Sequence, residues 1–187
     1  MRKTFIIICI LLASALTAFI YTQVDDIIIQ KTHPIEYSEY VSLYSEKYSV
    51  PQDIIYAVIK TESSFKSDAV SHKGAIGLMQ ITPSTYEWLC TKEAPYQINT
   101  ELLFSPKTNI QYGTLLLSIL YSEYGVWETA LAAYNAGMGN VSKWLTSEEY
   151  STDGRLTNIP FKETRAYVKK VIKSREIYSS LLEDNTK

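Results

Sequence analysis

Helical periodicity is the sequence feature that most restricts what this chain can fold into. Four residues between positions 51 and 63 recur at the i, i+3, i+4, i+7 spacing of one helical face: Ile55, Val58, Ile59 and Glu62. The alternation of apolar and polar residues that marks a strand is scarce elsewhere in the chain. The pattern therefore predicts an all-α fold, with a small β excursion near residues 70–82.

Proline and glycine mark where the predicted helices begin and end. Thr82 precedes Pro83, and Ser105 precedes Pro106, which is the pattern of a capping hydroxyl followed by the first helical residue. Gly125 is a predicted stop, because glycine is favoured just past a helix end. Helices are predicted over residues 36–48, 51–63, 83–90, 106–124, 127–136 and 162–182.

The first 24 residues have the composition of an export signal or a membrane anchor. Arg2 and Lys3 precede a largely apolar stretch of about 20 residues, long enough to cross a bilayer of about 30 Å. Positive charges stay inside, so residues 25–35 are predicted to be a juxtamembrane linker and residues 36–187 a single extracytoplasmic domain. An uncleaved segment would be a single-pass anchor in the cell membrane, and a cleaved one would leave a secreted protein. A buried helix of a cytosolic protein is the third interpretation.

Charge and metal-ligand content exclude several classes of function. The chain carries 18 basic and 20 acidic residues, so it lacks the basic excess typical of a nucleic-acid binder. Its two histidines and two cysteines are widely separated, unlike the ligands of a zinc site. Cys9 lies in the N-terminal apolar stretch, which leaves Cys90 without an intrachain disulfide partner in the predicted domain. We therefore predict no metal, no cofactor and no nucleic-acid partner.

Glu62 is the one residue whose position in the helical pattern points to chemistry. It continues the apolar stripe, whereas Lys60 and Thr61 lie off it. Burial among apolar neighbours disfavours the charged form of a carboxyl group and raises its pKa. A carboxylic acid that is still protonated near neutral pH can act as a general acid. The alternative is that the helix ends here and the side chain turns into solvent.

Four segments in order along the chain carry further motifs. The first reads Glu-Ser-Ser-Phe from Glu62 and continues with Gly-Ala-Ile-Gly-Leu-Met-Gln-Ile-Thr-Pro from Gly74. The second is Asn-Ile from Asn109 with Gly113, and the third is Ala-Ala-Tyr-Asn-Ala-Gly from Ala132. The fourth is Ile-Pro from Ile159, followed by Glu-Thr-Arg and Tyr-Val. Together they resemble the lytic transglycosylase domain of the soluble (SLT) type, which shares its fold with goose-type lysozyme. The resemblance covers residues 36–182 and implies a mainly α, lysozyme-like domain.

The resemblance also implies a role for individual residues. Glu62 corresponds to the catalytic acid/base, and six residues are implied to bind substrate: Ser71, Met79, Gln80, Tyr134, Asn135 and Tyr167. Most of them have a structural alternative. Ser71 could be a turn hydroxyl, Met79 a core residue and Asn135 a helix-end cap, while the two tyrosines could be packing residues.

Two positions depart from the family pattern. Asp68 stands where the family often has proline, six residues after Glu62 and in a predicted loop. It is interpreted as a surface residue, and a second carboxylate is the alternative. Thr82 occupies a position that is often apolar in the family, which leaves the contacts there open.

The activity that the resemblance implies is cleavage of peptidoglycan glycan strands. The β-1,4 bond between N-acetylmuramic acid and N-acetylglucosamine would be broken without water, leaving a 1,6-anhydromuramic acid end. Two other functions stay open at this point. A lysozyme-like hydrolase would need a second acid, with Asp68 or Glu87 as candidates. A catalytically silent glycan-binding module would keep the groove without needing Glu62.

Overall fold

The computed structural model describes residues 14, 16, 17, 19, 20, 27–93 and 98–184. The chain divides between Pro34 and Ile35 into two units. In the first unit, residues 27–32 are helical. Of the residues described, none belongs to a helix with both the length and the apolar character to span a membrane. The predicted anchor lies mostly outside the described residues, and the division into 1–24, 25–35 and 36–187 stays a prediction.

The second unit is built almost entirely from helices, which confirms the all-α prediction. Its elements in chain order are α1 (Ser38–Tyr48), α2 (Gln52–Glu62), α3 (Pro83–Cys90), a 3₁₀ helix (Thr100–Phe104), α4 (Pro106–Tyr124), α5 (Trp127–Ala136), α6 (Met138–Leu145), the strands β1 (Ser151–Thr152) and β2 (Arg155–Leu156), and α7 (Lys162–Asp184). Every predicted helix is present, with ends that differ from the predicted ones by a few residues at most.

The helix ends follow from local chemistry at two of the three predicted caps. The hydroxyl of Thr82 accepts the Thr85 N–H at 3.2 Å, which satisfies a free donor at the start of α3. Gly125 ends α4 in the left-handed conformation, with φ of 66°. Ser105 differs from the prediction, because its side chain makes no capping hydrogen bond. The start of α4 depends instead on Pro106, whose fixed φ suits the first helical position.

Two short extended features accompany the helices. The predicted β excursion is present as two isolated bridges, from Val70 to Ile76 and from Ile76 to Ile81. A second, two-stranded feature pairs β1 with β2 through a tight turn at Asp153 and Gly154, which both have positive φ. The turn was visible in the sequence as Thr-Asp-Gly, but the strands are only two residues long, too short for a periodic pattern.

Two helical elements have no counterpart in the predictions. Helix α6 starts directly after Gly137, the residue that ends α5, so the two helices share a boundary without a loop. Glycines at 137 and 139 weaken the helical pattern in the sequence there, because glycine is a poor helix former. The 3₁₀ helix over residues 100–104 is a single short element before α4.

Helix α2 is the centre of the core. Six consecutive residues, Ile54–Ile59, are fully buried, so the helix is covered around its whole circumference. Helix α7 packs along α2 with a row of buried residues that includes Tyr167, Val171 and Tyr178. An ion pair of 2.9 Å between Arg175 Nε and Asp53 Oδ2 joins the two helices at the other end. Glu62 therefore stands where a core helix reaches the surface.

Packing of α4 against Met79 predicts that substitutions of two glycines change the stability of the fold by different amounts. A Cβ at Gly113 would lie 2.3 Å from Met79 Sδ and 2.8 Å from Met79 Cβ, whereas a Cβ at Gly139 meets nothing within 4 Å. We expect Gly113→Ala to lower the free energy of unfolding by about 1–3 kcal/mol through overpacking. Gly139→Ala should leave it unchanged or raise it by up to about 1 kcal/mol, since alanine favours helix.

Urea unfolding of both variants beside the parent chain measures the difference. Equal destabilisation by the two substitutions would show that contact with Met79 is not what requires glycine at position 113.

Candidate active site

The chain turns sharply directly after Glu62, the last residue of α2. Ser64 and Phe65 both take left-handed φ values, 51° and 67°, which residues with side chains seldom adopt. Phe65 is nevertheless buried and packs against Tyr56 with ring centroids 6.4 Å apart. Burial of this ring holds a backbone turn that would otherwise cost of order 1–3 kcal/mol per strained residue. The turn ends the helix at the carboxylate.

A buried asparagine fixes the loop over residues 76–81, next to the end of α2. Asn109 in α4 is fully buried, and its Nδ2 donates to the carbonyl oxygens of Ile76 and Leu103, both at 2.8 Å. Its Oδ1 accepts the N–H of Met79 at 2.7 Å. Gly77 is required beside it, since a Cβ there would lie 2.3 Å from Asn109 Nδ2 and φ is +78°. The Asn109 side chain therefore fixes the backbone of this loop by hydrogen bonds.

The same loop receives hydroxyl groups from two helices. Ser63, at the end of α2, donates to the carbonyl oxygen of Leu78 at 2.9 Å. Tyr134, near the end of α5, donates to the carbonyl oxygen of Met79 at 2.7 Å. These contacts bring the ends of α2 and α5 to one loop, with Glu62 beside them.

The surroundings of Glu62 favour its protonated form. Burial raises the pKa of Glu62 to about 7, and the nearby Tyr167 hydroxyl opposes the rise by favouring the charged form of the carboxyl group. Burial first, and then the negative charge of Glu62, raise the pKa values of Tyr134 and Tyr167 above that of an ordinary tyrosine. Both tyrosines are therefore neutral donors around a carboxyl group that changes its charge near neutral pH.

Tyr167 reaches Glu62 from a distant part of the sequence. It lies in the second turn of α7, and its side chain is buried against α2. Its hydroxyl is close enough to the Glu62 carboxyl to lower the pKa of that group, and it forms no hydrogen bond with the side chains and backbone of the described residues. The Tyr167 hydroxyl is therefore available as a hydrogen-bond donor when the Glu62 carboxyl moves or becomes ionised.

Three of the other predicted site residues lie in the longer loop over residues 69–81, which includes residues 76–81. Ser71 Oγ accepts the N–H groups of Ala75 at 3.0 Å and of Lys73 at 3.3 Å, as a turn hydroxyl does. Gln80 Nε2 donates to two carbonyl oxygens of the same loop, at 2.9 and 3.2 Å. Met79 is fully buried, with its side chain against α4. The structural alternatives for Ser71 and Met79 are thus present, and the binding role of all three residues stays a prediction.

Asn135 joins α5 to α7. Its Oδ1 accepts a hydrogen bond of 2.8 Å from the hydroxyl of Thr164, a buried residue in the first turn of α7. Asn135 itself is exposed, so its amide is at the surface between the two helices that carry Tyr134 and Tyr167. A helix-end cap was the alternative for Asn135; the observed partner of its oxygen is Thr164.

The candidate second carboxylates lie on the surface. Asp68 is exposed in the loop after α2, and Glu87 is exposed on α3. Neither contributes to the shift in the pKa of Glu62. Thr82, the other departure from the family pattern, caps α3. Within residues 27–93 and 98–184, no group of three or more His, Cys, Asp or Glu side chains forms a metal site.

Sequence reasoning missed the supporting residues of this site. Asn109 was recognised as part of a motif but not as the residue that holds the loop, although a polar residue on the apolar α4 is a signal of a buried hydrogen-bonding role. Ser63 and Thr164 were likewise not singled out. Thr164 lies three residues before Tyr167, hence on the same face of α7, and this spacing was the signal available for it.

A helical fold with a partly buried glutamate at the end of its central helix places this protein in the class of lysozyme-like helical domains. The sequence matches the Transglycosylase SLT domain over residues 39–156, and the chain belongs to this family. The match includes Glu62 and the loop that Asn109 holds. Thr164 and Tyr167 lie beyond it, and their places beside Asn135 and Glu62 come from the structure.

Two curated relatives illustrate the relationship. The soluble lytic murein transglycosylase of Escherichia coli K12 is 32% identical over 160 residues, which are 83% of this chain and 25% of that protein. The membrane-bound lytic murein transglycosylase C of Actinobacillus pleuropneumoniae serotype 5b is 31% identical over 166 residues, 76% of this chain and 46% of that protein. The chain thus spans between a quarter and a half of the length of these relatives.

Solved structures agree with the family assignment. An inactive glutamate-to-glutamine mutant of the lytic transglycosylase Slt from Pseudomonas aeruginosa aligns with a TM-score of 0.73 at 33% identity, over 81% of this chain and 25% of that one. The 70 kDa soluble lytic transglycosylase from Escherichia coli aligns with a TM-score of 0.75 at 31% identity, over 82% and 26%. A complex of the 70 kDa soluble lytic transglycosylase with bulgecin A aligns equally well.

Burial of Glu62 predicts a pH-dependent cost to stability. The pKa is about 7 in the folded chain against 4.5 for an ordinary glutamate, so between these values only the unfolded chain ionises freely. Stability relative to Glu62→Gln should therefore fall as the pH rises from 4.5 to 7 and then level off, by at most about 3 kcal/mol. Urea unfolding at pH 4 and pH 8 measures this change.

Glu87→Gln provides the matched control, because Glu87 is exposed and its charge should matter little at either pH. An advantage of Glu62→Gln that is the same at pH 4 and pH 8 would contradict the burial argument.

Proposed function

We propose that this chain is a peptidoglycan lytic transglycosylase with Glu62 as its general acid and base. It cleaves the β-1,4 bond between N-acetylmuramic acid and N-acetylglucosamine and leaves a 1,6-anhydromuramic acid end. The observation that carries the proposal is a single carboxyl group with a pKa of about 7, placed where the core helix α2 meets the surface. A carboxylic acid with this pKa can give a proton and take one back at neutral pH.

The reaction needs only one carboxylate if the substrate supplies the other groups. Protonated Glu62 gives its proton to the glycosidic oxygen, and the bond from that oxygen to the anomeric carbon of the muramic acid breaks. The N-acetyl carbonyl of the same sugar stabilises the positive charge at that carbon. The 6-hydroxyl then attacks it and passes its proton to ionised Glu62, which restores the acid. Because the attacking hydroxyl belongs to the bound sugar, the step gains from a high effective molarity.

Tyr167 suits the ionised stage of this cycle. When Glu62 has given up its proton, the buried Tyr167 hydroxyl is the donor that stabilises the carboxylate. Tyr134 has a different part, because its hydroxyl is bound to Met79 O and holds the loop near Glu62. Ser71, Gln80 and Asn135 are proposed to line the groove for the sugar rings.

The names of the relatives support the proposed activity and place of action. The curated relatives are called lytic murein transglycosylases, one soluble and one membrane-bound. A structural relative that lost a glutamate to glutamine is described as inactive, which parallels the part we give to Glu62. The apolar segment within residues 1–24 is proposed to hold the catalytic domain at the outer face of the cell membrane, next to its substrate.

Digestion of purified peptidoglycan by the full chain tests the reaction, with Glu62→Gln as the inactive variant and Glu87→Gln as the matched control. Mass spectrometry of the products should show anhydro ends for the parent chain and Glu87→Gln, and none for Glu62→Gln. Reducing ends, one water heavier, would identify a hydrolase instead. Glycan binding without products from any of the three proteins would identify a silent binding module.

The pH dependence of the rate tests the role of the two tyrosines. Activity should fall as the pH rises through about 7, because the general acid loses its proton. Tyr167→Phe removes the group that lowers the pKa of Glu62, so this fall should move to higher pH, while the maximal rate drops about tenfold. Tyr134→Phe should leave the apparent pKa unchanged, since its hydroxyl serves Met79 O. A profile that Tyr167→Phe does not move would remove Tyr167 from the mechanism.

A further inference from the structure

The contact between Thr164 and Asn135 joins a buried residue to an exposed one. Thr164 is only 2% exposed, and its hydroxyl donates to Asn135 Oδ1 at 2.8 Å. Asn135 is the second-to-last residue of α5 and lies at the surface. Removal of the Thr164 hydroxyl would leave no buried polar group of this pair unpaired, because the exposed Asn135 oxygen can bind water instead.

The hydrogen bond selects one of the two orientations of the Asn135 amide. An asparagine side chain has an oxygen that only accepts and a nitrogen that only donates. If the amide were rotated by half a turn, the buried Thr164 hydroxyl would lose the acceptor for its hydrogen, and a buried donor without an acceptor is costly. With Oδ1 turned to Thr164, the Nδ2 donors are the free side of the amide. Among the hydrogen bonds of the described residues, Asn135 Nδ2 makes none.

The pair lies within one helical turn of groups that interact with Glu62. Asn135 directly follows Tyr134, whose pKa responds to the Glu62 charge. Thr164 precedes Tyr167 by three residues on the same face of α7, about 4.5 Å along the helix axis. The free donors of Asn135 are therefore at the end of α5 that meets the candidate site.

We infer that Thr164 is a positioning residue that holds the Asn135 amide so that its Nδ2 donors bind a carbonyl oxygen of the glycan, with the acetamido group of a sugar as the ligand class. This inference rests on the proposed function. Thr164 does not touch substrate and acts only through Asn135. Its buried hydroxyl serves substrate binding rather than folding.

Substitutions of similar shape test the inference in the full chain. Thr164→Val keeps the branched shape and loses the hydroxyl, and Thr164→Ser keeps the hydroxyl. We expect Thr164→Val to lower kcat/KM on purified peptidoglycan about tenfold, the equivalent of one hydrogen bond, while Thr164→Ser stays close to the parent. The urea midpoint and the apparent pKa of the rate profile should be the same in all three proteins.

Two further variants separate positioning from general packing. Thr114 in α4 is a fully buried threonine whose hydroxyl has no hydrogen-bond partner among the described residues, so Thr114→Val should leave activity unchanged and should leave the urea midpoint unchanged or raise it. Asn135→Ala should lower kcat/KM, and adding Thr164→Val to it should cost nothing more, since the hydroxyl then has nothing to position.

Parent-like kcat/KM for Thr164→Val, or a loss that adds fully to that of Asn135→Ala, overturns the inference. So does a loss that follows the urea midpoint, or one that Thr164→Ser shares. A parent chain that yields no anhydro products is a different result, because it defeats the proposed function before the variants are compared.

Discussion

The hydrogen bonds of the Asn109 amide are the constraint on which the rest of the site depends. This one side chain holds Ile76, Met79 and Leu103 by their backbone groups, in a place that water does not reach. A buried amide with its partners in place is rigid, because any movement leaves a polar group without a hydrogen bond. The ends of α2 and α5 pack against the loop that Asn109 holds.

Each of those helices then contributes one polar contact to the loop and one residue to the proposed site. From α2 come the Ser63 hydroxyl, bound to Leu78 O, and the adjacent Glu62. From α5 come the Tyr134 hydroxyl, bound to Met79 O, and the adjacent Asn135. In both cases the residue that fixes the helix end is a neighbour of the residue that we propose acts on the substrate. The residue that fixes each helix end and the residue with the proposed function are thus adjacent in the sequence.

Helix α7 completes the arrangement and sets its electrostatics. The close packing of α7 on α2 buries Glu62 and at the same time supplies Tyr167, so the effect that raises the pKa and the effect that limits the rise come from the same contact. The site keeps a carboxyl group whose ionisation lowers the stability of the fold, which is the exchange of stability for activity expected of the catalytic role that we propose for it. Thr164, one turn earlier on α7, extends the same helix-to-helix contact to Asn135.

Sequence alone determined the all-α fold and the course of α2 to within one residue at each end, with a carboxylate at its last turn, because helical periodicity, proline starts and glycine stops are local properties of the chain. The order of the motifs also identified the family. Tertiary structure decided the rest. The pKa of Glu62 and the hydrogen bond from Thr164 to Asn135 depend on how α7 packs against α2 and α5, and contacts between segments so far apart in sequence leave no periodic pattern.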